Sequence, residues 1–264
     1  MRPSGSDRPR LARSRGRVLA LVAVLLLTLS ACSSDELPTL AMPERDATDQ
    51  APRILSLWQG SWIAALAVGL ITWALILWPV VAHRRKRDAT ELPPQTRYNL
   101  PIEVLYTVVP FIMIAVFFYF TARDEDIIMR TSANPDHTIT VTGIQWSWQF
   151  TYDSDGGATT TGTPGKPPTL VLPEGESVQF RLESDDVIHS FWVPAFLFKM
   201  DVIPGQGNKF EITPTKQGTF KGKCAELCGQ DHSRMLFNVD VVSPSEFDSR
   251  VADLKERNDS GSAQ

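Results

Sequence analysis

The sequence predicts a transmembrane α-helical hairpin followed by an all-β sandwich with a short C-terminal helix. Three observations carry that reading. Two strongly apolar runs, residues 55–82 and about 103–122, are each long enough to cross a bilayer, and neither shows a polar face. After residue 123 the pattern changes to short alternating runs separated by turn residues. Ser243-Pro244-Ser245-Glu246 then reads as a capped helix start with proline at its first position.

Charge and cysteine usage narrow the function classes. Residues 1–31 hold six Arg and one Asp, whereas residues 123–264 hold 13 basic and 21 acidic residues. The large C-terminal segment is therefore acidic, and a nucleic-acid binder needs a basic face. Three cysteines are too few for a disulfide framework, so each thiol needs its own explanation.

The elements follow in order. Arg2, Arg8, Arg10, Arg13, Arg15 and Arg17 precede a mostly apolar run, 18–29, that is too short to span a membrane. Residues 1–31 therefore read as a secretory signal. Its end, Leu29-Ser30-Ala31-Cys32, resembles the lipobox of bacterial lipoproteins, which implies lipidation of Cys32 and anchoring in the outer leaflet. A plain signal with an incidental cysteine is the alternative. Residues 32–54 read as an extracytoplasmic linker. The hairpin takes 55–122, with a cytoplasmic loop at about 83–102. His83-Arg84-Arg85-Lys86-Arg87 marks the cytoplasmic side, and Arg123-Asp124-Glu125-Asp126 suits the outer side. The chain is then a multi-pass protein of a bacterial plasma membrane, with its N-terminus and C-terminal domain both extracytoplasmic. Glu103 stands at the start of the second span, where a carboxylate either snorkels to water or takes up protons.

The β domain covers 123–242. Thr138-Ile139-Thr140-Val141-Thr142 alternates, and so does Val178-Gln179-Phe180-Arg181-Leu182-Glu183. Asp155-Gly156-Gly157, Pro164-Gly165, Pro173-Glu174-Gly175 and Pro204-Gly205 supply turns. Residues 243–264 form the C-terminal helix and tail, with Phe247, Val251 and Leu254 on one face.

The chemistry sits in Cys224-Ala-Glu226-Leu-Cys228-Gly-Gln-Asp-His232-Ser-Arg-Met235, with His189 upstream. Two thiolates, two imidazoles and a thioether form a soft donor set suited to copper. Two thiolates can bridge two copper ions, each ion taking one terminal imidazole. Met235 can sit axially on one ion, and a backbone carbonyl, that of Glu226, on the other. Each residue also has a plainer reading. His189 fits a core histidine, Met235 fits core filler, and the two cysteines fit a disulfide. Two Cys and two His also suit zinc. Zinc has little use for a thioether, and the joint pattern argues against the plainer readings together.

With the hairpin before it, the Cys-x-Glu-x-Cys-x3-His-x2-Met pattern resembles subunit II of a bacterial haem-copper cytochrome c oxidase, over about residues 55–257. The resemblance implies a cupredoxin-like sandwich holding the dinuclear copper centre CuA. His189, Cys224, Cys228, His232 and Met235 would be its side-chain ligands, with the carbonyl of Glu226. The Glu226 side chain would reach a magnesium ion shared with subunit I. In Gly143-Ile-Gln145-Trp146-Ser-Trp148-Gln-Phe150, Trp146 matches the tryptophan over the copper where electrons arrive, and Trp148 reads as a core aromatic. Phe198-Lys-Met-Asp201-Val-Ile-Pro204-Gly205 is similar to the segment after the first histidine ligand. Glu103, in Glu-Val-Leu-Tyr-Thr-Val-Val-Pro110, matches the glutamate at the mouth of the K proton channel.

The implied activity is electron acceptance from cytochrome c, soluble or membrane-bound. Electrons would pass to the haem and copper of subunit I for oxygen reduction coupled to proton translocation. The implied partners are subunit I, other oxidase subunits, cytochrome c and the lipid bilayer. Two features depart from the pattern. Thr151 stands where many relatives carry a docking carboxylate, and residues 156–168 form a Gly/Thr/Pro-rich insertion. Asp185 and Asp186 remain as candidate docking acids.

Rival readings fit less of the chain. Quinol-oxidase subunits of this fold lack the copper ligands, and a nitrous oxide reductase type of copper domain needs no hairpin. A membrane-anchored copper-binding lipoprotein acting in oxidase assembly would hold a single copper and would not need the Trp146 stretch. His83 and His137 are the other two histidines, and neither lies inside a span, so the chain holds no haem site of its own.

Overall fold

A computed structural model describes residues 39–40, 42–43, 46–84 and 95–261. Cys32 and the signal segment lie outside the described residues. The chain divides into Met1–Met42 and Pro43–Gln264, and the architecture below belongs to the second unit.

Two helices, α1 (Ala51–Ala82) and α2 (Leu100–Ile128), are each long and apolar enough to cross a membrane. Both outrun the apolar runs that announced them. Pro52 in the first turn of α1 starts that helix before Leu55, because proline's fixed φ and missing N–H suit a helix start. The Asn99 side chain caps α2 by accepting from the Ile102 N–H at 3.5 Å. Beyond Ala122 the charged turn stays helical, and Arg130 pairs with Asp126 one turn back.

Ten strands form the sandwich: β1 (His137–Ile144), β2 (Ser147–Tyr152), β3 (Ala158–Thr161), β4 (Thr169–Pro173), β5 (Val178–Ser184), β6 (His189–Val193), β7 (Phe198–Val202), β8 (Asn208–Ile212), β9 (Gly218–Cys224) and β10 (Leu236–Val242). One sheet has the order β3-β2-β1-β5-β8, the other β4-β10-β9-β6-β7. The two runs with the clearest alternation, β1 and β5, pair in parallel with Val141 opposite Leu182. β4 and β10 are parallel as well. The inward faces bury Ile139, Val141, Trp148, Phe180, Phe191 and Phe237. Phe191 and Phe237, two strands apart in the same sheet, stack over β9 at 4.8 Å. Gly222 is required beneath them, since a Cβ there would lie 2.0 Å from the Phe237 ring.

A C-terminal helix, α3 (Pro244–Asp259), closes the sandwich by burying Phe247 and Val251, with Leu254 partly buried. Ser243 accepts from the Glu246 N–H at 3.4 Å. The Glu246 carboxylate does not complete the capping box; it pairs with Arg250 at 2.7 Å. Part of the 156–168 insertion is strand β3, which pairs with β2. Asn258 of α3 grips its backbone, accepting from the Thr159 N–H at 2.7 Å and donating to the Thr159 carbonyl at 3.1 Å.

His137, at the start of β1, ties three segments together. Its Nδ1 lies 3.1 Å from Asp155 and its Nε2 2.8 Å from Glu176, and its ring meets Phe247 edge-on at 4.7 Å. Burial disfavours the charged ring, but the flanking carboxylates outweigh it and hold His137 above the usual histidine range. A raised folded-state pKa stabilises the fold fully below the unfolded value, about 6.5, and the contribution is lost as pH rises through the folded value. His137→Gln keeps a polar side chain but removes the charge. Its stability deficit in denaturant titrations should be largest near pH ~5.5 and shrink at alkaline pH. A deficit independent of pH would reduce His137 to packing against Phe247.

Candidate metal centre

The predicted donors meet at one end of the sandwich. His189 opens β6, Cys224 closes β9, and the segment between β9 and β10 supplies Cys228, His232 and Met235. Strands hold the first two rigidly. The remaining three sit on a loop, because no strand aims donors at this spacing toward one place.

Both thiols are free and buried, with sulfurs 3.9 Å apart. His189 Nδ1 lies 3.9 Å from the Cys224 sulfur, and the Glu226 carbonyl lies 3.2 Å from the same sulfur. His232 Nδ1 is 3.6 Å and the Met235 sulfur 3.7 Å from the Cys228 sulfur. The donors thus form two groups, each with one imidazole and one weaker donor, joined by a pair of sulfurs. His189, Cys224 and Cys228 bring their ligand atoms within 4.8 Å of one another, a cluster able to bind copper. The fit is chemical as well as geometric. Soft sulfur and borderline nitrogen surround a site in which His189 and Met235 have no solvent exposure.

Burial opposes ionisation of both thiols. At Cys224, contact with His189 outweighs burial and brings the thiol down to about 7. At Cys228, burial and the charge on Cys224 act together and push the thiol up to about 12. The pair therefore titrates as a unit, giving up its first proton easily and its second with difficulty. Metal binding that needs both thiolates must displace that second proton.

Surrounding groups set the orientation of the donors. Asp186 accepts from His189 Nε2 at 2.7 Å, which leaves Nδ1 to face Cys224. The same carboxylate accepts backbone N–H groups from Gln145 and Val187, both at 2.6 Å. The sequence treated Asp185 and Asp186 alike as docking acids; the structure separates them. Both residues are exposed, but the Asp186 carboxylate is committed to His189. Trp146 is half-buried, and its indole N–H donates to the Cys228 carbonyl at 3.2 Å. Trp148 is fully buried, as expected of a core aromatic. The Glu226 carboxylate is exposed. Glu103 lies far along the chain, at the other end of α2, where its carboxylate accepts from the Asn99 N–H at 2.9 Å.

Three supporting residues escaped the sequence reading. Gln145 donates from its side chain to the Cys228 carbonyl at 2.7 Å. Gly143 abuts His189, and a Cβ there would lie 2.8 Å from the imidazole Cδ2. Gly229 has φ +123° and faces the Trp146 indole, 3.0 Å from where its Cβ would be. A glycine inside an alternating strand was the available signal for Gly143.

The fold and site define a β-sandwich protein with two helices long and apolar enough to cross a membrane and a buried cysteine and histidine cluster able to bind copper. Comparisons with known proteins sharpen the class. Residues 167–242 match the family model "Cytochrome C oxidase subunit II, periplasmic domain". A probable cytochrome c oxidase subunit 2 from Streptomyces coelicolor is 50% identical over 99% of this chain and 94% of its own length. Cytochrome c oxidase subunit 2 from Mycobacterium bovis is 37% identical over 92% of this chain and 82% of its own. A crystal structure of the periplasmic domain of cytochrome oxidase subunit II from Bradyrhizobium japonicum shares 34% identity at TM-score 0.45, covering 48% of this chain and 99% of that one. The chain belongs to the cytochrome c oxidase subunit II family, and its enzyme class is that of an oxidoreductase.

Removing an orienting group should weaken metal binding while the fold persists. Asp186→Asn should lower copper affinity about 10–100-fold. Gly143→Ala should do the same by pushing the His189 ring. Competition titration against a chelator measures both, with thermal melting as the control for folding. Unchanged affinity in both variants would mean that neither contact orients the donor.

Proposed function

We propose that this chain is the electron-accepting subunit II of a respiratory cytochrome c oxidase in a bacterial plasma membrane. The observation that carries the reading is the pair of free, buried thiols 3.9 Å apart, with His189 and His232 on opposite flanks. Cys224 and Cys228 would hold two copper ions between them. His189 and His232 would each terminate one ion, Met235 would sit on the Cys228 side, and the Glu226 carbonyl would sit on the Cys224 side. When bound, such a pair supplies one-electron redox chemistry.

The remaining assignments follow from position. Trp146 links the surface to the ligand loop through the Cys228 carbonyl, so it is the proposed point of electron arrival from cytochrome c. Asp185 is exposed and is the better placed of the two candidate docking acids, while Asp186 orients His189. Leu227, 77% exposed beside Cys228, offers an apolar contact on the same loop. The exposed Glu226 carboxylate is the proposed magnesium contact at the boundary with subunit I. Glu103 is proposed at the mouth of a proton pathway, and its exchange with the Asn99 N–H would hold it at the helix start. Cys32 is the proposed lipidation site. In this arrangement 1–31 is a signal, 32–54 a linker, 55–122 the hairpin, 123–242 the copper domain and 243–264 the closing helix and tail. Electrons would leave toward the haem and copper of subunit I, where oxygen is reduced and protons are translocated.

Copper loading gives the direct test. The loaded protein should show a seven-line copper hyperfine pattern in EPR, and Cys228→Ser should abolish it. An unchanged pattern in that variant would sink the two-thiolate assignment.

Electron arrival has a separate test. Trp146→Phe should slow reduction by cytochrome c in stopped flow while leaving the copper spectrum unchanged. Raising ionic strength from about 0.01 M to 0.15 M shortens the Debye length from roughly 30 Å to 8 Å, so reduction by a basic donor should slow over that range. Rates insensitive to both changes would move Trp146 back to a core role and remove the case for charge steering.

A further inference from the structure

A second site lies away from the metal centre, between α1 and α2. A groove of about 480 Å³ opens between the outer halves of the two helices. On α1 it is lined by Ser56, Gly60 and Ala64, which recur every fourth residue and so share one face. On α2 it is lined by Val116, Phe117 and Phe120. Small side chains facing large ones leave a slot with apolar walls. By helical rise, the lining stretch of α2 from Ile112 to Arg123 covers about 16 Å, close to one leaflet of a hydrocarbon core roughly 30 Å thick.

The rim of the groove is charged. Arg53 of α1 and Arg123 of α2 converge on one carboxylate oxygen of Asp124, at 3.2 and 2.8 Å. Asp124 is buried, whereas both arginine side chains keep about two-fifths of their surface exposed. Two guanidinium groups against one carboxylate leave one positive charge in excess. Arg123 is held over the groove wall, with its Cζ 4.9 Å from the Phe120 ring centre. The two acids that follow Asp124 on α2 do not cancel this charge. Asp126 is taken by Arg130, and Glu125 lies about 200° around the helix from Arg123.

We infer that this groove holds one anionic phospholipid of the outer leaflet, its phosphate on Arg53 and Arg123 and an acyl chain along Gly60 and Ala64. A phosphodiester carries the single negative charge that the rim lacks, and guanidinium forks suit phosphate oxygens. The walls below it are mostly apolar and fit a chain, and the Ser61 hydroxyl on them is turned back to the Leu57 carbonyl.

The test uses the intact oxidase containing this chain, stripped of loose lipid in detergent and challenged with phosphatidylglycerol. Native mass spectrometry counts the lipid retained per complex. Gly60→Leu should remove one retained phosphatidylglycerol per copy of this chain. A Cβ at Gly60 meets nothing within 4 Å, so the substitution fills the groove without disturbing the helix. Arg123→Gln should weaken retention about tenfold, the worth of one charge-assisted hydrogen bond. Diacylglycerol with the same chains, lacking the phosphate, should be retained poorly and equally by wild type and Arg123→Gln. Ala64→Leu provides a second filling variant if Gly60→Leu fails to assemble, with the copper spectrum reporting intact subunits. Equal phosphatidylglycerol counts in wild type and the filling variants would overturn the proposal. So would disulfide cross-linking of a Gly60→Cys variant to a helix of another subunit, which would show the groove filled by protein.

Discussion

The metal centre depends on one hydrogen bond, from His189 Nε2 to the Asp186 carboxylate at 2.7 Å. An imidazole with no solvent exposure needs a partner for its second nitrogen, and that partner decides which nitrogen faces Cys224. Asp186 is itself held by the backbone N–H groups of Gln145 and Val187. Gln145 reaches on to the carbonyl of Cys228 with its side chain. A carboxylate, an amide and a carbonyl thus join three turns that are distant in sequence. The ligand loop inherits the rigidity of the strands through these contacts, although little of the loop itself is regular.

The same network explains what could and could not be read from the residues in order. The donors were legible because their chemistry is unusual and their spacing tight: two cysteines, a histidine and a methionine between positions 224 and 235 have few other uses. The hairpin was legible from hydropathy, and β1 and β5 from alternation. Their parallel pairing was not, because alternation fixes which face is buried and says nothing about which strand lies alongside. Asp185 and Asp186 were indistinguishable as neighbours; only the fold of the β5–β6 turn makes one of them turn inward. β3 was hidden in a Gly, Thr and Pro-rich stretch because its pairing to β2 and the grip of Asn258 override weak local preference. His137 gave no warning either, since Asp155 and Glu176 reach it from separate turns.

The hairpin and sandwich are joined at a different place from the metal. Just before α1, the Asp49 N–H donates to the Thr213 carbonyl and its carboxylate accepts from the Thr213 N–H, both at 3.0 Å, and the Gln50 side chain donates to the Glu211 carbonyl at 2.8 Å. Just after α2, the Ser132 N–H donates to the Glu211 side chain at 2.7 Å. Both membrane-proximal segments therefore end on the same stretch of β8 and its following turn. Two connections at one place restrict rotation of the domain about either one, which a single linker would allow.

Register shows how far that junction is from the chemistry. β8 runs antiparallel to β5 with Ile212 opposite Val178, at the start of β5, whereas the turn carrying Asp186 follows its end. Seven residues of strand separate the two places, about 23 Å of extended chain. The His137 clamp sits at the junction end too, with His137 opposite Val178. Sites so far apart with no shared partners are energetically near-independent. The His137 clamp and the junction with the two apolar helices therefore lie at one end of the sandwich, and the cysteine and histidine cluster at the other. At that end the β1–β2 turn carries the half-buried Trp146 and the ligand loop carries the exposed Leu227.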